Sequence, residues 1–182
     1  MPPDHSVLKE KPRPRDAFII TEGMGKRIFG VGVLFVVLLF GFIQYFEHCD
    51  VQTLADFSLQ DYFSNFFNFS YVSNGVEPRE LSMFFTIFVF MQFWTIFNAM
   101  AFKTNQSALK GLLDKDVISG FGITLLIIFV GQVLIVNFGG EMFNVVPISF
   151  GDWLRIILGT SVILWIGELG RLVKRRMLTK KY

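Results

Sequence analysis

The chain has 182 residues, of which 52% are apolar and 23 are phenylalanine, a composition that excludes an ordinary soluble domain of this length. Its formal net charge is only +2, and the basic residues bracket apolar segments, which excludes the basic surface of a nucleic-acid-binding protein. Cys49 is the single cysteine, so an internal disulfide and a cysteine metal cluster are excluded as well.

Residues 1–27 are polar, basic and interrupted by prolines, with no apolar core of the kind a signal peptide requires, and we expect a cytoplasmic segment there. Four later segments are predicted to cross a bilayer: 28–46, 81–102, 117–140 and 153–173. The first three carry no charged residue and are each at least 19 residues long. A helix of about 20 residues crosses the apolar core of a bilayer, so each of these three can span.

The fourth segment is interrupted by Arg155, Glu168 and Arg171. It can span if the two arginines extend toward opposite membrane interfaces. Glu168 is the only acidic residue inside a predicted span, and a membrane-embedded carboxylate is a candidate functional group. The simpler interpretation is a salt bridge with Arg171, three residues later on the same helix.

The distribution of basic residues predicts the orientation. Fifteen of the 17 lie before the first span, between the second and third, or at and after the end of the fourth, where Arg171 is counted, which leaves only Arg79 and Arg155 on the other side. The positive-inside rule then places both termini in the cytoplasm. The predicted fold is an all-α membrane protein: a bundle of four transmembrane helices at 28–173, with an outer loop at 47–80 and a basic cytoplasmic tail at 174–182.

The outer loop contains no lysine but six acidic residues. Its aromatic residues Tyr62, Phe63, Phe66 and Phe67 recur at helical spacing. Two interpretations remain open: a short amphipathic helix on the outer headgroups, or an aromatic plug packed over the helix ends.

Three polar residues, Gln92, Thr95 and Asn98, lie in the second span at intervals of three, which places them near one face of a helix. Lipid cannot satisfy them, so they are expected to face protein or water. Interhelical hydrogen bonding is the simpler role, since no carboxylate accompanies them; Gln92 and Asn98 are the alternative candidates for binding a cation. Gln132, within the third span, is expected to serve packing. No catalytic constellation and no phosphate-binding loop is evident.

Five short segments occur in an order that matches one family. They are Met1-Pro2-Pro3-Asp4 with Lys11-Pro12-Arg13 and Phe18-Ile19-Ile20-Thr21; Phe88-Val89-Phe90-Met91-Gln92 with Asn98-Ala99; Asn105-Gln106-Ser107; Ile135-Val136-Asn137-Phe138-Gly139-Gly140 leading to Asp152-Trp153-Leu154; and Glu168. Together they resemble the C-terminal membrane region of P-type calcium-transporting ATPases, comprising the loop after helix six and helices seven to ten. Plasma-membrane and bacterial single-site pumps are the more similar, because Gln92 stands where the sarcoplasmic-reticulum type carries a glutamate ligand. Thr95, Ile96 and Met100 depart from the polar or charged residues common on this helix in plasma-membrane pumps.

The resemblance implies a support bundle in an ATP-driven exporter of a cation, most simply calcium, in the plasma (inner) membrane. ATP, magnesium and calcium are implied for the parent pump and none of them for this chain. The expected partners are the lipid bilayer and the upstream pump domains, namely transmembrane helices one to six and the cytoplasmic domains. The Asp-Lys-Thr-Gly phosphorylation motif and the Thr-Gly-Glu actuator loop do not occur here, so a fragment or split subunit is expected. The alternative is a stand-alone four-helix membrane protein that anchors or regulates a partner.

Overall fold

The computed structural model describes residues 22–72, 75–100 and 121–179, and every regular element within these ranges is helical. The elements are α1 (Glu22–His48), a 3-10 turn (Leu54–Asp56), α2 (Leu59–Asn65), α3 (Pro78–Met100), α4 (Ile123–Phe138), α5 (Gly140–Phe143), α6 (Phe150–Thr160) and α7 (Val162–Thr179). Among them, α1, α3 and the pair α6–α7 are long and apolar enough to cross a membrane. The apolar α4 has 16 residues, about 24 Å.

The prediction of an all-α protein with apolar helices of membrane-spanning length is therefore confirmed for the described residues. The side of the membrane on which the termini lie stays a prediction. Several predicted features lie outside the described residues: most of the N-terminal segment, the end of the second span at residue 102, the start of the third at 117, and the last three residues of the basic tail.

Two helices begin earlier than the predicted spans. α1 begins at Glu22 and not at residue 28, with Lys26 pairing with the Glu22 carboxylate at 2.6 Å across the first turn. An acidic residue in the first turn also interacts favourably with the helix dipole. α3 begins at Pro78 and not at residue 81, because the fixed φ of proline suits a first helical position.

Two breaks fall near or inside predicted spans. α4 ends at Phe138, before the predicted end at residue 140, and Gly140 has a left-handed φ of +45° that a side chain would disfavour. The fourth predicted span, 153–173, is divided by a turn at Ser161 into α6 and α7. The hydroxyl groups of Thr160 and Ser161 donate to the carbonyl oxygens of Ile156 and Leu158, so these bonds remain within the local backbone.

The central helix is α3, which packs against α1, α4, α6 and α7. The larger core cluster includes the fully buried Phe46, Met83 and Val136, and a smaller one joins Phe97, Leu125 and Leu164. In contrast, α1 exposes apolar side chains along much of its length; the most exposed are Phe29 and Val36. Such a surface fits contact with lipid acyl chains.

Two buried carboxylates hold the chain where it leaves the C-terminal end of α1 at His48. The Glu80 carboxylate accepts from the backbone N–H groups of Val51 at 3.1 Å and Glu77 at 2.8 Å. The Asp152 carboxylate accepts from the N–H of Leu54 at 2.8 Å. Since both acidic residues lie in the first turn of a helix, the helix dipole further stabilises their charge. These contacts fix the chain after α1 to the beginnings of α3 and α6.

Candidate functional site on α3

Polar side chains on α3 bind neighbouring helices at three levels, and the first level is Thr86. Its hydroxyl donates to the carbonyl oxygen of Ser82 at 2.7 Å and accepts from Nε2 of Gln132 at 3.1 Å. Thr86 and Gln132 are both buried. The amide predicted to serve packing therefore lies in a contact between α3 and α4.

The second level joins α3 to α6. The indole Nε1 of Trp94 donates to Oγ1 of Thr160 at 3.0 Å, and Thr160 in turn donates to the carbonyl oxygen of Ile156 at 2.6 Å. Sequence reasoning missed this pair. The available signal was the tryptophan itself, because a buried indole N–H in an apolar helix needs an acceptor.

At the third level, the buried Asn98 joins three helices. Its Nδ2 donates to the carbonyl oxygen of Ile163 on α7 at 2.8 Å, and its Oδ1 accepts from Arg171 at 2.9 Å. Its backbone carbonyl accepts from the guanidinium of Arg27 on α1, also at 2.9 Å. The Asn98 amide is therefore committed to protein partners on both of its polar atoms.

Arg171 also binds the carboxylate predicted to be its partner. Nη2 of Arg171 lies 3.0 Å from Oε1 of Glu168, and the two side chains are only 11% and 14% exposed. A guanidinium shared between a carboxylate and the Asn98 amide neutralises charge in the interior of the bundle. Gly167 makes room for this arrangement, because a Cβ there would overlap the Asn98 amide.

The three polar residues predicted for one face do not face the same neighbour. Asn98 is buried, Thr95 donates to the carbonyl oxygen of Met91 on its own helix at 2.9 Å, and Gln92 is exposed. Spacings of three residues rotate by about 60° each, so the set spreads over about 120° of the helix. Gln92 and Asn98 consequently do not converge on a common point.

The exposed side of α3 carries Phe85, Phe88, Gln92 and Ala99. These residues are spaced by three, four and seven, which is one helical stripe. The side-chain amide of Gln92 makes no hydrogen bond with the residues that the structure describes. An amide transferred without partners to an apolar medium costs on the order of 4–8 kcal/mol on the cyclohexane scale, so contact of this stripe with lipid alone is unfavourable.

The stripe, with its amide near mid-helix, is thus suited to packing against a further membrane helix that offers a hydrogen-bond partner. Within residues 22–72, 75–100 and 121–179, no group of three or more His, Cys, Asp or Glu side chains is placed to hold a metal ion. A metal-binding role for Gln92 or Asn98 stays a prediction.

A family model described as "Cation transporting ATPase, C-terminus" matches residues 1–173 of the chain. The chain belongs to this cation-transporting ATPase family. In this C-terminal region, α3 corresponds to the second predicted span and carries the Phe88–Gln92 segment quoted above. The resemblance to plasma-membrane calcium pumps that the ordered segments predict is confirmed by the relatives.

Plasma membrane calcium-transporting ATPase 1 of Homo sapiens is 28% identical over 173 residues, which is 92% of this chain and 12% of that protein. Plasma membrane calcium-transporting ATPase 2 of Oreochromis mossambicus is 25% identical over 169 residues, covering 90% of the chain and 13% of the relative. The mca-1 calcium-transporting ATPase of Caenorhabditis elegans is 24% identical over 186 residues, covering 99% and 13%. The chain therefore spans about one eighth of the length of these relatives.

Some of the segments that carry the family resemblance lie outside the described residues, including Met1–Asp4, Lys11–Arg13 and Asn105–Ser107. Those that are described fall on α3, at the end of α4, on α6, where Asp152 holds the backbone of Leu54, and on α7, which carries Glu168. In this cation-transporting ATPase region, Asp152 is therefore a positioning residue for the loop after α1.

Proposed function

We propose that this chain forms the C-terminal support bundle of an ATP-driven calcium exporter in the plasma membrane. In this proposal, the exposed stripe of α3 packs against the transport helices of the same pump. The observation that carries it is Gln92, an exposed amide at the middle of the most enclosed helix, in a chain of the cation-transporting ATPase family.

The three levels of hydrogen bonds on α3 support a buttress role. Gln132, Thr160 and Ile163 bind α3 from three neighbouring helices, so their relative displacement would break buried polar contacts. A bundle fastened in this way provides a rigid surface against which other helices can move. Among the described residues, the exposed stripe is the side of α3 that these contacts leave open.

Calcium is proposed as the cargo because the relatives described above are named calcium-transporting ATPases. ATP and magnesium would act on the upstream domains of the parent pump. The alternative of a stand-alone anchoring protein has no supporting observation, since the relatives are transport ATPases throughout.

The proposal is tested by purifying the affinity-tagged chain from its native membranes and adding radiolabelled ATP. We expect an acid-stable phosphoenzyme, on this polypeptide or on one that purifies with it, that forms with calcium and not with a calcium chelator. Phosphoenzyme formation that depends on another cation would change the proposed cargo from calcium to that cation. The assignment to an ATP-driven pump would stand. The absence of phosphoenzyme under all ions would contradict the proposal.

A matched pair of variants tests the stripe itself. Gln92→Leu removes the exposed amide, whereas Phe88→Leu changes an apolar residue on the same stripe. We expect Gln92→Leu to lower the yield of calcium-dependent phosphoenzyme several-fold and Phe88→Leu to lower it much less. Equal yields in both variants would show that the amide has no role in docking.

A further inference from the structure

The segment that follows α1 lies across the end of that helix. Nδ2 of Asn65 contacts Sγ of Cys49 at 3.4 Å, and the His48 Nε2 lies 3.3 Å from the carbonyl oxygen of Ser70. The backbone of α2 and of the residues after it is therefore level with the last residues of α1.

From that level, aromatic side chains extend back along α1. The Tyr62 hydroxyl donates to the carbonyl oxygen of Leu38 at 3.0 Å, and the Phe66 ring lies 5.4 Å from the ring of Phe40. Leu38 precedes His48 by ten residues, which is about 15 Å along a helix axis. The rings thus lie beside the apolar part of α1, where Val36, Val37 and Ile43 are exposed.

The apolar stripe of α2 is divided between two environments. Tyr62 is buried and Phe66 half-buried against α1, and a Cβ at Gly41 would overlap the Tyr62 ring. Leu59, Phe63 and Phe67, on the same stripe, are 64%, 69% and 77% exposed. Asp61 and Ser64 lie on the other, polar side of this helix and are exposed as well.

We infer that α2 and the residues after it, 59–69, form an interfacial membrane anchor, with Leu59, Phe63 and Phe67 inserted among the acyl chains of the leaflet that holds the His48 end of α1. We assign lipid as the contact of this stripe because its exposed part continues the apolar surface of α1 at the same depth in the membrane. Aromatic side chains favour this boundary region of a bilayer. The sequence left two interpretations open, an amphipathic helix at the membrane surface and an aromatic plug packed over the helix ends. The first describes the exposed half of the stripe, and the second describes its buried half.

The charges of the segment indicate which lipids it prefers. The loop at 47–80 contains no lysine, and Asp61 lies on the polar side of α2. Anionic headgroups would be repelled, so the anchor is held by apolar burial and favours zwitterionic lipid. This inference does not depend on the proposed function, because lipid contact at α2 says nothing about ion transport.

Spin-label accessibility tests the anchor in the full-length chain reconstituted in phosphatidylcholine vesicles. Cys49→Ser first removes the single cysteine, and serine retains an acceptor for Asn65. Single cysteines then replace Phe63 and Phe67, with Asp61→Cys and Ser64→Cys as matched controls on the polar side of the same helix. All four positions are exposed, so none of these substitutions disturbs the core.

We expect labels at 63 and 67 to collide several-fold more with oxygen than with a water-soluble nickel chelate, and labels at 61 and 64 to show the reverse order. Chelate collisions at 63 and 67 equal to those at 61 and 64 would overturn the anchor, since the stripe would then face water. Low collision rates with both reagents would also overturn it, because protein and not lipid would then cover the stripe.

Discussion

The Oδ1 atom of Asn98 accepts a hydrogen bond from Arg171 at 2.9 Å, across 73 residues of sequence. The same amide donates to Ile163, so a single side chain fixes the position of α7 against α3. In a membrane, where helices gain little from the hydrophobic effect on association, such contacts stabilise packing by about 1–2 kcal/mol in model peptides.

Asn98→Ala is expected to destabilise the bundle by about 1–3 kcal/mol, because Ile163 and Arg171 would each lose a buried partner. Thr95→Ala is the control, since among the described residues the Thr95 hydroxyl binds only the backbone of its own helix. Thermal unfolding in detergent micelles measures both. Similar losses in the two variants would show that the Asn98 amide does not fasten α7.

Gly167→Ala is expected to destabilise by about 1–3 kcal/mol, because the added Cβ would overlap the Asn98 amide and force it from its partners. Gly170→Ala offers a control on the same helix, where a Cβ meets nothing within 4 Å. We expect that control to match or exceed the stability of the parent chain. The measurement is again thermal unfolding, and an unchanged midpoint for Gly167→Ala would contradict this packing.

Asp152→Ala is expected to release the loop after α1. The fully buried carboxylate binds the Leu54 N–H, the Ser149 hydroxyl and Arg155, so its loss leaves buried donors unpaired. Hydrogen exchange should accelerate at the 3-10 turn Leu54–Asp56. The exposed Asp56 provides the control, and Asp56→Ala should accelerate exchange far less; equal acceleration would remove the anchoring role of Asp152.

The Cys49 thiol should react slowly with alkylating reagents. Burial raises its pKa, and the negative charges of Asp61 and Glu80 raise it further. A raised pKa leaves less thiolate at a given pH, so the alkylation rate should reach its midpoint above the value of about 8.5 for a free cysteine. Asp61→Asn should lower that midpoint. A midpoint at or below the free value would contradict the placement of Cys49.

The long apolar helices were predictable because uncharged runs of about 20 residues have few alternatives to a helix that can cross a membrane. The Glu168–Arg171 contact was predictable for a similar reason, since residues three apart on a helix are neighbours. Tertiary partners were not. Spacing placed Gln92 and Asn98 near one face, but only the position of α7 determines that Asn98 is buried while Gln92 is exposed.

The loop at 47–80 illustrates the same limit. Aromatic spacing predicted a helix near Tyr62, but no local pattern indicates that its hydroxyl reaches Leu38, or that Gly41 provides the space for its ring. Likewise, Arg27 was counted only as an orientation signal, whereas its guanidinium binds the Asn98 carbonyl. Contacts over long sequence separations depend on how helices are arranged, which periodicity does not report.

The measurement that most directly tests the proposed function is ATP-dependent uptake of radioactive calcium by inverted membrane vesicles. Vesicles from cells that carry the native chain are compared with vesicles from cells in which its coding segment is deleted, and with vesicles after the segment is restored. We expect uptake that is lost on deletion and recovered with the parent chain, but poorly recovered with Gln92→Leu. Equal calcium uptake with and without the chain would contradict its assignment to a calcium exporter.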